Sequence, residues 1–337
     1  MKEAKTLQKR IKGVHIASFL PFFLASCAPS LTIYQKTYFA MDTTVDVTIH
    51  ASPSSVDPTA EIGAIFSRYD ALADPNNAIK DVVNVYALNH SNEPLKVSDE
   101  LFELLEFSMD MKEKTGGFVS PLMGNLSNLW KDALHPKEGD PHVPSQADIQ
   151  KAIEEMNATS LLFNAENKTI QRLGEGKIDL GAFAKGFALK KAKEVIEERG
   201  YSIYLVNAGT SSILLGEKDA QGNAYRVGFT DVPGIHTRLK NTAIGTSGVN
   251  PQAVEVDGVV YSHIVNPFTG DAHLDIAGVS LVGSDPAVLD ALSTAFLVMG
   301  YKDHRSEIDA LSEEYGLSYL FYDEKGILLN KGITLEE

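Results

Sequence analysis

The chain has 337 residues, 44% of them hydrophobic, and sets 30 Lys and Arg against 45 Asp and Glu for a formal net charge of −15. That length suffices for one large domain or two modest ones, and the acidic balance argues against nucleic acid or anionic lipid as a partner. The single cysteine excludes an intrachain disulfide framework and any multi-cysteine metal site.

Lys2, Lys5, Lys9, Arg10 and Lys12 precede a short apolar run from Val14 to Leu24. This has the proportions of a secretory signal and is too short to span a bilayer, which needs about 20 residues. Leu24-Ala25-Ser26-Cys27 resembles a bacterial lipobox. Residues 1–26 are therefore expected to be removed, Cys27 to carry a lipid, and residues 27–33 to tether the protein to the cell membrane on its extracytoplasmic side. Removing residues 1–26 takes away five of the 30 basic and one of the 45 acidic residues, leaving −19. Attachment would come from the lipid and not from a basic patch.

Residues 34–49 have strand character, with Val45, Val47 and Ile49 alternating with polar residues and Met41-Asp42-Thr43 at the start of the alternation. Ser52 to Pro58 is a break, and Ile62, Ile65, Phe66 and Tyr69 mark a helix. Asp74 to Asn77 is a loop, and Val82 to Leu88 carries no decisive period. Ser98-Asp99-Glu100 caps a helix with Leu101, Leu104, Leu105 and Met109 on one face. Thr115 to Pro121 is a loop that Leu122 to Trp130 continues, followed by an exposed proline-rich stretch, His135 to Ser145. Asp148 to Met156 is helical, and a hairpin turns about residues 164–168.

Lys177 to Lys190 places an acid, two glycines and a lysine at the mouth of a helix that Gly200 stops. Such a helix start suits an anion such as pyrophosphate, and equally a plain turn into a surface helix. Strands follow at 201–207, 212–215 and 225–229, then a small-residue loop at Ala243 to Gly248 and a hairpin at Val254 to Tyr261 turning on Asp257-Gly258. Val279 to Val282 is a strand. Ser284-Asp285 caps a helix from Pro286 to Met299. The tail holds one more helix and one or two strands. The irregular mixture predicts an α+β fold, and the absence of G-x-G-x-x-G and P-loop patterns argues against a Rossmann or P-loop site.

Asp290 and Thr294 lie four apart on one helix face with Ser293 beside them. They could offer hard oxygens to Mg²⁺ or simply form a solvated face. His263 suits either a proton shuttle or a hydrogen-bonded structural position. Thr246-Ser247-Gly248 suits phosphate contact or a turn.

Taken in order, these segments resemble the ApbE family, the FAD:protein FMN transferases. Met41-x-Thr43 is similar to the family's M-G-T, and Gly117 to Trp130 to its G-A-F-D-P-T-V-G-P-L-V-N-L-W. Asp179 to Phe187 resembles D-L-G-G-I-A-K-G-Y, Asn207-Ala208-Gly209 resembles N-x-G-G-D, and Tyr225 to Gly228 resembles W-R-V-G. Thr246-Ser247-Gly248 matches T-S-G, Tyr261 to Gly270 resembles Y-S-H-I-I-D-P-x-T-G, and Asp290-x-x-x-Thr294 falls at the family's D-x-x-x-T. The resemblance implies two intertwined α/β subdomains in a T-fold-like arrangement over residues 34–337, with FAD in the cleft between them. It implies FAD contacts at Met41, Phe118, Val119, Ser120, Asp179, Lys185 and Val265. It implies Mg²⁺ held by the Ala182 carbonyl, Asp290 and Thr294, with His263 as the base. The implied reaction moves the FMN half of FAD onto a threonine hydroxyl of a partner flavoprotein and releases AMP.

Several positions depart from the family pattern: Asp42 stands for Gly, Ser120 and Asn266 for Asp, and Thr210-Ser211 for the G-D of N-x-G-G-D. The P-D-S-E-x-S-x-L-N segment is not recognisable at Asp74 to Asn89. These changes keep open an FAD pyrophosphatase and a non-catalytic flavin-binding lipoprotein.

Overall fold

An edge hairpin opens the described part of the molecule. The computed structural model describes residues 31–209, 211–229, 232–249 and 253–336; residues 1–26, expected to be a signal, and Cys27, expected to carry a lipid, lie outside them. Strands β1 (Thr32–Ala40) and β2 (Thr43–Ala51) pair antiparallel with Tyr38 opposite Val45. Residues 34–49, expected to be one stretch, are thus two strands. The break is conformational: Met41 and Asp42 both have positive φ, 54° and 57°, the two-residue turn that matches strand twist. Neither is glycine, so each left-handed residue costs roughly 1 kcal/mol.

The chain continues through α1 (Thr59–Ala73), α2 (Val85–Asn89), β3 (Leu95–Lys96), α3 (Asp99–Lys114), α4 (Gly124–Leu134) and α5 (Gln146–Asn157). Strands β4 (Ser160–Asn164) and β5 (Thr169–Leu173) lead into α6 (Ala184–Glu198). Then come β6 (Ile203–Ala208), β7 (Ser212–Leu215), β8 (Tyr225–Phe229), β9 (Val232–Leu239), β10 (Thr242–Gly248), β11 (Val254–Val256), β12 (Val259–Tyr261) and β13 (Gly278–Gly283). The chain closes with α7 (Pro286–Met299), α8 (Arg305–Tyr315), β14 (Ser318–Asp323) and β15 (Gly326–Lys331).

Eight strands form one sheet in the order β1-β2-β6-β7-β10-β13-β14-β15. Every neighbouring pair in it is antiparallel, which excludes a doubly wound parallel architecture. Helices α1, α6 and α7 pack on one face, and β8–β9 covers part of the other through Phe229 and Val232 against Leu320 and Tyr322. A three-stranded sheet, β3-β5-β4, lies in the long insertion between β2 and α6, with α2 packed on β5 and α4 packed on α5. The α+β expectation holds. The main core runs from Val47 and Leu292 on the large sheet to Phe102 and Ile170 on the small one, so residues 31–337 cohere as one unit.

Two segments differ from their sequence reading. Ala243 to Gly248, expected as a loop, is β10, an interior strand. Its small residues answer a packing demand, since a Cβ on Gly245 would meet the Leu289 backbone at 2.7 Å, so α7 lies directly on the strand. Leu122 to Trp130, expected as loop, contains most of α4. Leu126, Trp130 and Leu134 repeat at four-residue intervals and are buried with Ile149 and Val265.

Helix α7 is the anchor of the large sheet. Asp285 caps it by accepting from the N–H groups of Ala287 and Val288 at 2.9 and 3.4 Å, and Pro286 fills the first turn. Leu289, Leu292 and Phe296 are fully buried, each worth about 2 kcal/mol of apolar transfer. That burial fixes where Asp290 and Thr294 point.

Candidate active site

Asp290 is the only carboxylate among the described residues that is buried, at 5% exposure. A buried charge needs partners, and Asp290 has three. Lys185 Nζ lies 3.1 Å from Oδ1, Ser212 Oγ donates to Oδ1 at 3.2 Å, and the Gly186 N–H donates to Oδ2 at 2.8 Å. They come from α6 and β7, so one carboxylate joins three elements. Gly186 is required by contact: a methyl there would overlap Asp290 Cβ and the Pro286 carbonyl. The α6 N-terminus, which the sequence left open between an anion site and a plain turn into a helix, is in part occupied by the Asp290 carboxylate.

This arrangement sets the oxygens around it. The Gly186 N–H bonds to Asp290 and not to the Ala182 carbonyl four residues back, which leaves that carbonyl without its helical donor. Thr294 Oγ1 lies 3.1 Å from Ser247 Oγ, which also meets Ser293 Oγ at 2.8 Å. Asp290, Thr294 and Ala182 thus supply carboxylate, hydroxyl and carbonyl oxygen. No cluster of three or more His, Cys, Asp or Glu suited to a metal occurs among the described residues. A set with one carboxylate fits Mg²⁺, which is held by one or two carboxylates with substrate phosphates and water, better than a transition metal.

The Asp179 segment is strapped on both sides. Its N–H donates to the Pro121 carbonyl at 2.9 Å, and the Gly124 N–H donates to the Lys177 carbonyl at 2.9 Å. On the other side Asn89 acts as a surrogate strand: its amide donates to the Ile178 carbonyl and accepts from the Ile178 N–H, at 2.9 and 2.7 Å. Buried Arg172 gathers the carbonyls of Leu88, Asn89, Gly174 and Gly176 behind it. Sequence reasoning missed both residues. Asn89 acts across 89 positions, and nothing local marks it.

The departures from the family pattern have local explanations. Ser120 Oγ accepts from the Leu122 N–H at 3.2 Å. Asn266 Oδ1 accepts from the N–H groups of Phe268 and Thr269 at 2.9 and 3.2 Å. Each neutral oxygen does the turn-capping work of a carboxylate. Phe118 packs edge-on against exposed Phe268 and against His304, with centroids 4.8 and 4.6 Å apart. Val119 and Val265 are 2% and 3% exposed and their side chains are spent on the two cores, so the FAD contacts expected there could be made only through backbone. Met41 lies in the β1–β2 turn; next to that turn, Gly209 donates to the Thr44 carbonyl at 2.9 Å, linking the turn through β7 to Ser212 and Asp290.

His263 is exposed by surface area, yet the protein around it still desolvates the ring in part. That desolvation and the nearby Lys185 charge hold its pKa below the usual histidine value, with Asp179 acting in the opposite sense. Its imidazole is therefore the neutral, proton-accepting form at pH 7. Asp179, Lys185 and His263 thus share one electrostatic neighbourhood, and Lys185 joins it to Asp290.

Fold and site together define an α+β protein with one buried, charge-compensated aspartate where α6, α7 and β7 meet. Residues 41–319 match the ApbE family, and the chain belongs to that family. It is 27% identical to an FAD:protein FMN transferase of Treponema pallidum, over 89% of this chain and 88% of the relative. A second FAD:protein FMN transferase, from Chlamydia trachomatis, is 26% identical over 91% and 98%. The solved ApbE protein of Thermotoga maritima aligns with a TM-score of 0.75 at 25% identity, covering 91% of this chain and 97% of that one. The apo flavinyl transferase ApbE of Pseudomonas stutzeri shares the fold at a TM-score of 0.74, 21% identity, and coverage of 90% and 95%.

Proposed function

We propose that this protein is an FAD:protein FMN transferase that moves the FMN half of FAD onto a threonine hydroxyl of a partner flavoprotein, releases AMP and depends on Mg²⁺. The relatives' activity supports the reaction class. The observation that carries the reading to this chain is the buried Asp290 carboxylate, set between Lys185 and the α6 N-terminus with Thr294 one turn away. The lipobox at Cys27 supports placing the enzyme on the extracytoplasmic face of the cell membrane.

Mg²⁺, when bound, supplies Lewis-acid stabilisation to the pyrophosphate oxygens; Asp290, Thr294 and the Ala182 carbonyl would hold it. Lys185 brings a fixed positive charge to an otherwise acidic molecule and so offsets repulsion of the anionic substrate. His263 accepts the proton of the incoming threonine hydroxyl. The threonine oxygen forms a bond to the phosphorus of the FMN half, the phosphoanhydride bond to the AMP half breaks, and AMP leaves with the bridging oxygen. Asn89, Arg172 and Ser120 hold the loops in register and touch no reacting atom.

The test combines residues 28–337 with FAD, Mg²⁺ and a protein bearing a flavinylation threonine, with covalent flavin read by mass spectrometry and AMP by chromatography. Equal amounts of flavinylated acceptor and AMP are expected. AMP with free FMN and no acceptor adduct would assign hydrolysis instead. Tight FAD binding with neither product would make the protein a flavin carrier.

A further inference from the structure

Both ends of the β1–β2 hairpin expose apolar side chains, Phe39 being 74% exposed near the turn, but only one end adjoins Cys27 in the chain. The end away from Cys27 carries the Met41–Asp42 turn beside the site. At the other, Leu31, Ile33 and Val56 are 42%, 58% and 70% exposed. Ile33 sits in a cross-strand row with His50 and Ile203, without a formal charge. Val56 is held in the loop after β2, where the Ser55 carbonyl accepts from the Tyr34 hydroxyl at 2.7 Å and the Val56 carbonyl accepts from Tyr201. The charges nearby are engaged: Asp57 accepts from the Thr59 N–H, and Glu61 pairs with Arg199. Of these charges Glu61 and Arg199 cancel and Asp57 alone is left without a cation, a small share of the net charge of −15.

Only residues 28–30 separate Cys27 from Leu31. Those four chain steps reach at most about 14 Å when extended, so a lipid on Cys27 would hold Leu31 within that distance of the headgroups. The nine residues of β1 then rise about 30 Å at ~3.4 Å each, ending at the turn beside the site. We propose that the Leu31, Ile33 and Val56 end rests on the lipid bilayer, standing the hairpin upright so that the Lys185–Asp290 site opens about a strand's length above the headgroups. The inference rests on the lipid-anchor reading of Cys27. A bilayer is favoured over a second copy of the chain because the short tether brings this end to the membrane at any protein concentration. With Asp57 as the one acid there without a cation and no basic cluster, the surface fits zwitterionic rather than anionic headgroups.

The test uses the full-length lipidated protein in phosphatidylcholine–phosphatidylethanolamine vesicles containing a nitroxide headgroup lipid. Fluorophores are attached singly at Ile33→Cys, Val56→Cys and, near the far turn on the same strand, Phe39→Cys; the Cys27 thiol, carrying lipid, does not react. Labels at 33 and 56 are expected to be quenched several-fold more than the label at 39. Equal quenching, or stronger quenching at 39, with lipid on Cys27 confirmed by mass spectrometry, overturns the orientation and leaves the anchor standing. Self-quenching between labels at 33, relieved by dilution with unlabelled protein, also overturns it by assigning the end to a second copy. A Cys27 found without lipid overturns the anchor and the orientation together. None of these outcomes bears on flavin transfer, which is measured separately.

Discussion

Two aspartates on two helices each collect three donors, and the contrast between them separates a site from a fastener. Asp309 on α8 accepts from Arg305 Nε, the Tyr319 hydroxyl and Lys331 Nζ at 2.8, 2.7 and 2.9 Å. The Tyr319 hydroxyl first, then Lys331, hold its pKa far below the carboxylate range. Yet its side chain is 31% exposed, all its donors are side chains, and solvent screens them. Asp290 has a comparable number of partners, but one is a backbone N–H at a helix start, and all lie in a buried junction that also frees a carbonyl and faces two hydroxyls. Donor number does not distinguish the two carboxylates. Burial and the unspent oxygens beside Asp290 do.

The strongest way to break this contrast is Asp290→Asn. It keeps the shape and removes the charge, and flavin transfer should fall at least roughly a hundredfold, with a lower thermal midpoint because Lys185 loses its carboxylate. Transfer at the wild-type rate would end the assignment of Asp290 to the site. Lys185→Met should lower the rate by about tenfold or more and also change its pH dependence. With His263 as the proposed base, the rate should fall as pH drops through the histidine pKa. Lys185 is one of the groups depressing that pKa, so its loss should move the acid limb to higher pH. An unmoved limb would disconnect the two residues.

Gly186→Ala tests the packing that brings Asp290 to α6. The added methyl must displace Asp290 or the Pro286 carbonyl, at a cost of roughly 1–3 kcal/mol in urea unfolding and with a clear loss of transfer. Asp309→Asn is the smallest expected effect: about 1 kcal/mol or less, with transfer unchanged. Because the folded pKa of Asp309 is depressed, its contribution is fully present above the unfolded value near ~3.9. It disappears as pH falls towards the folded value, so wild type and variant should converge in stability under strong acid.

The sequence made much of this legible where chemistry is local. The Asp285–Pro286 cap, the four-residue step from Asp290 to Thr294 and the α6 period are written in neighbouring residues, and the structure places them as read. Features set by distant partners were not legible. β10 looks like a loop because its glycine and alanine were chosen by α7 lying on it. The turn at Met41–Asp42 lacks the glycine that would have announced it. Asn89 and Arg172 shape the Asp179 loop through backbone groups far along the chain, where no spacing rule reaches.

Ser120 and Asn266, which depart from the acids of the family pattern, hold their turns with a hydroxyl and an amide. Neither group ionises, so these two turns keep their hydrogen bonds at any pH the fold survives. Shape and proton inventory are thereby uncoupled. Mild acid should silence the enzyme by charging His263 with both turns intact, and neutralisation should restore the rate without any refolding delay.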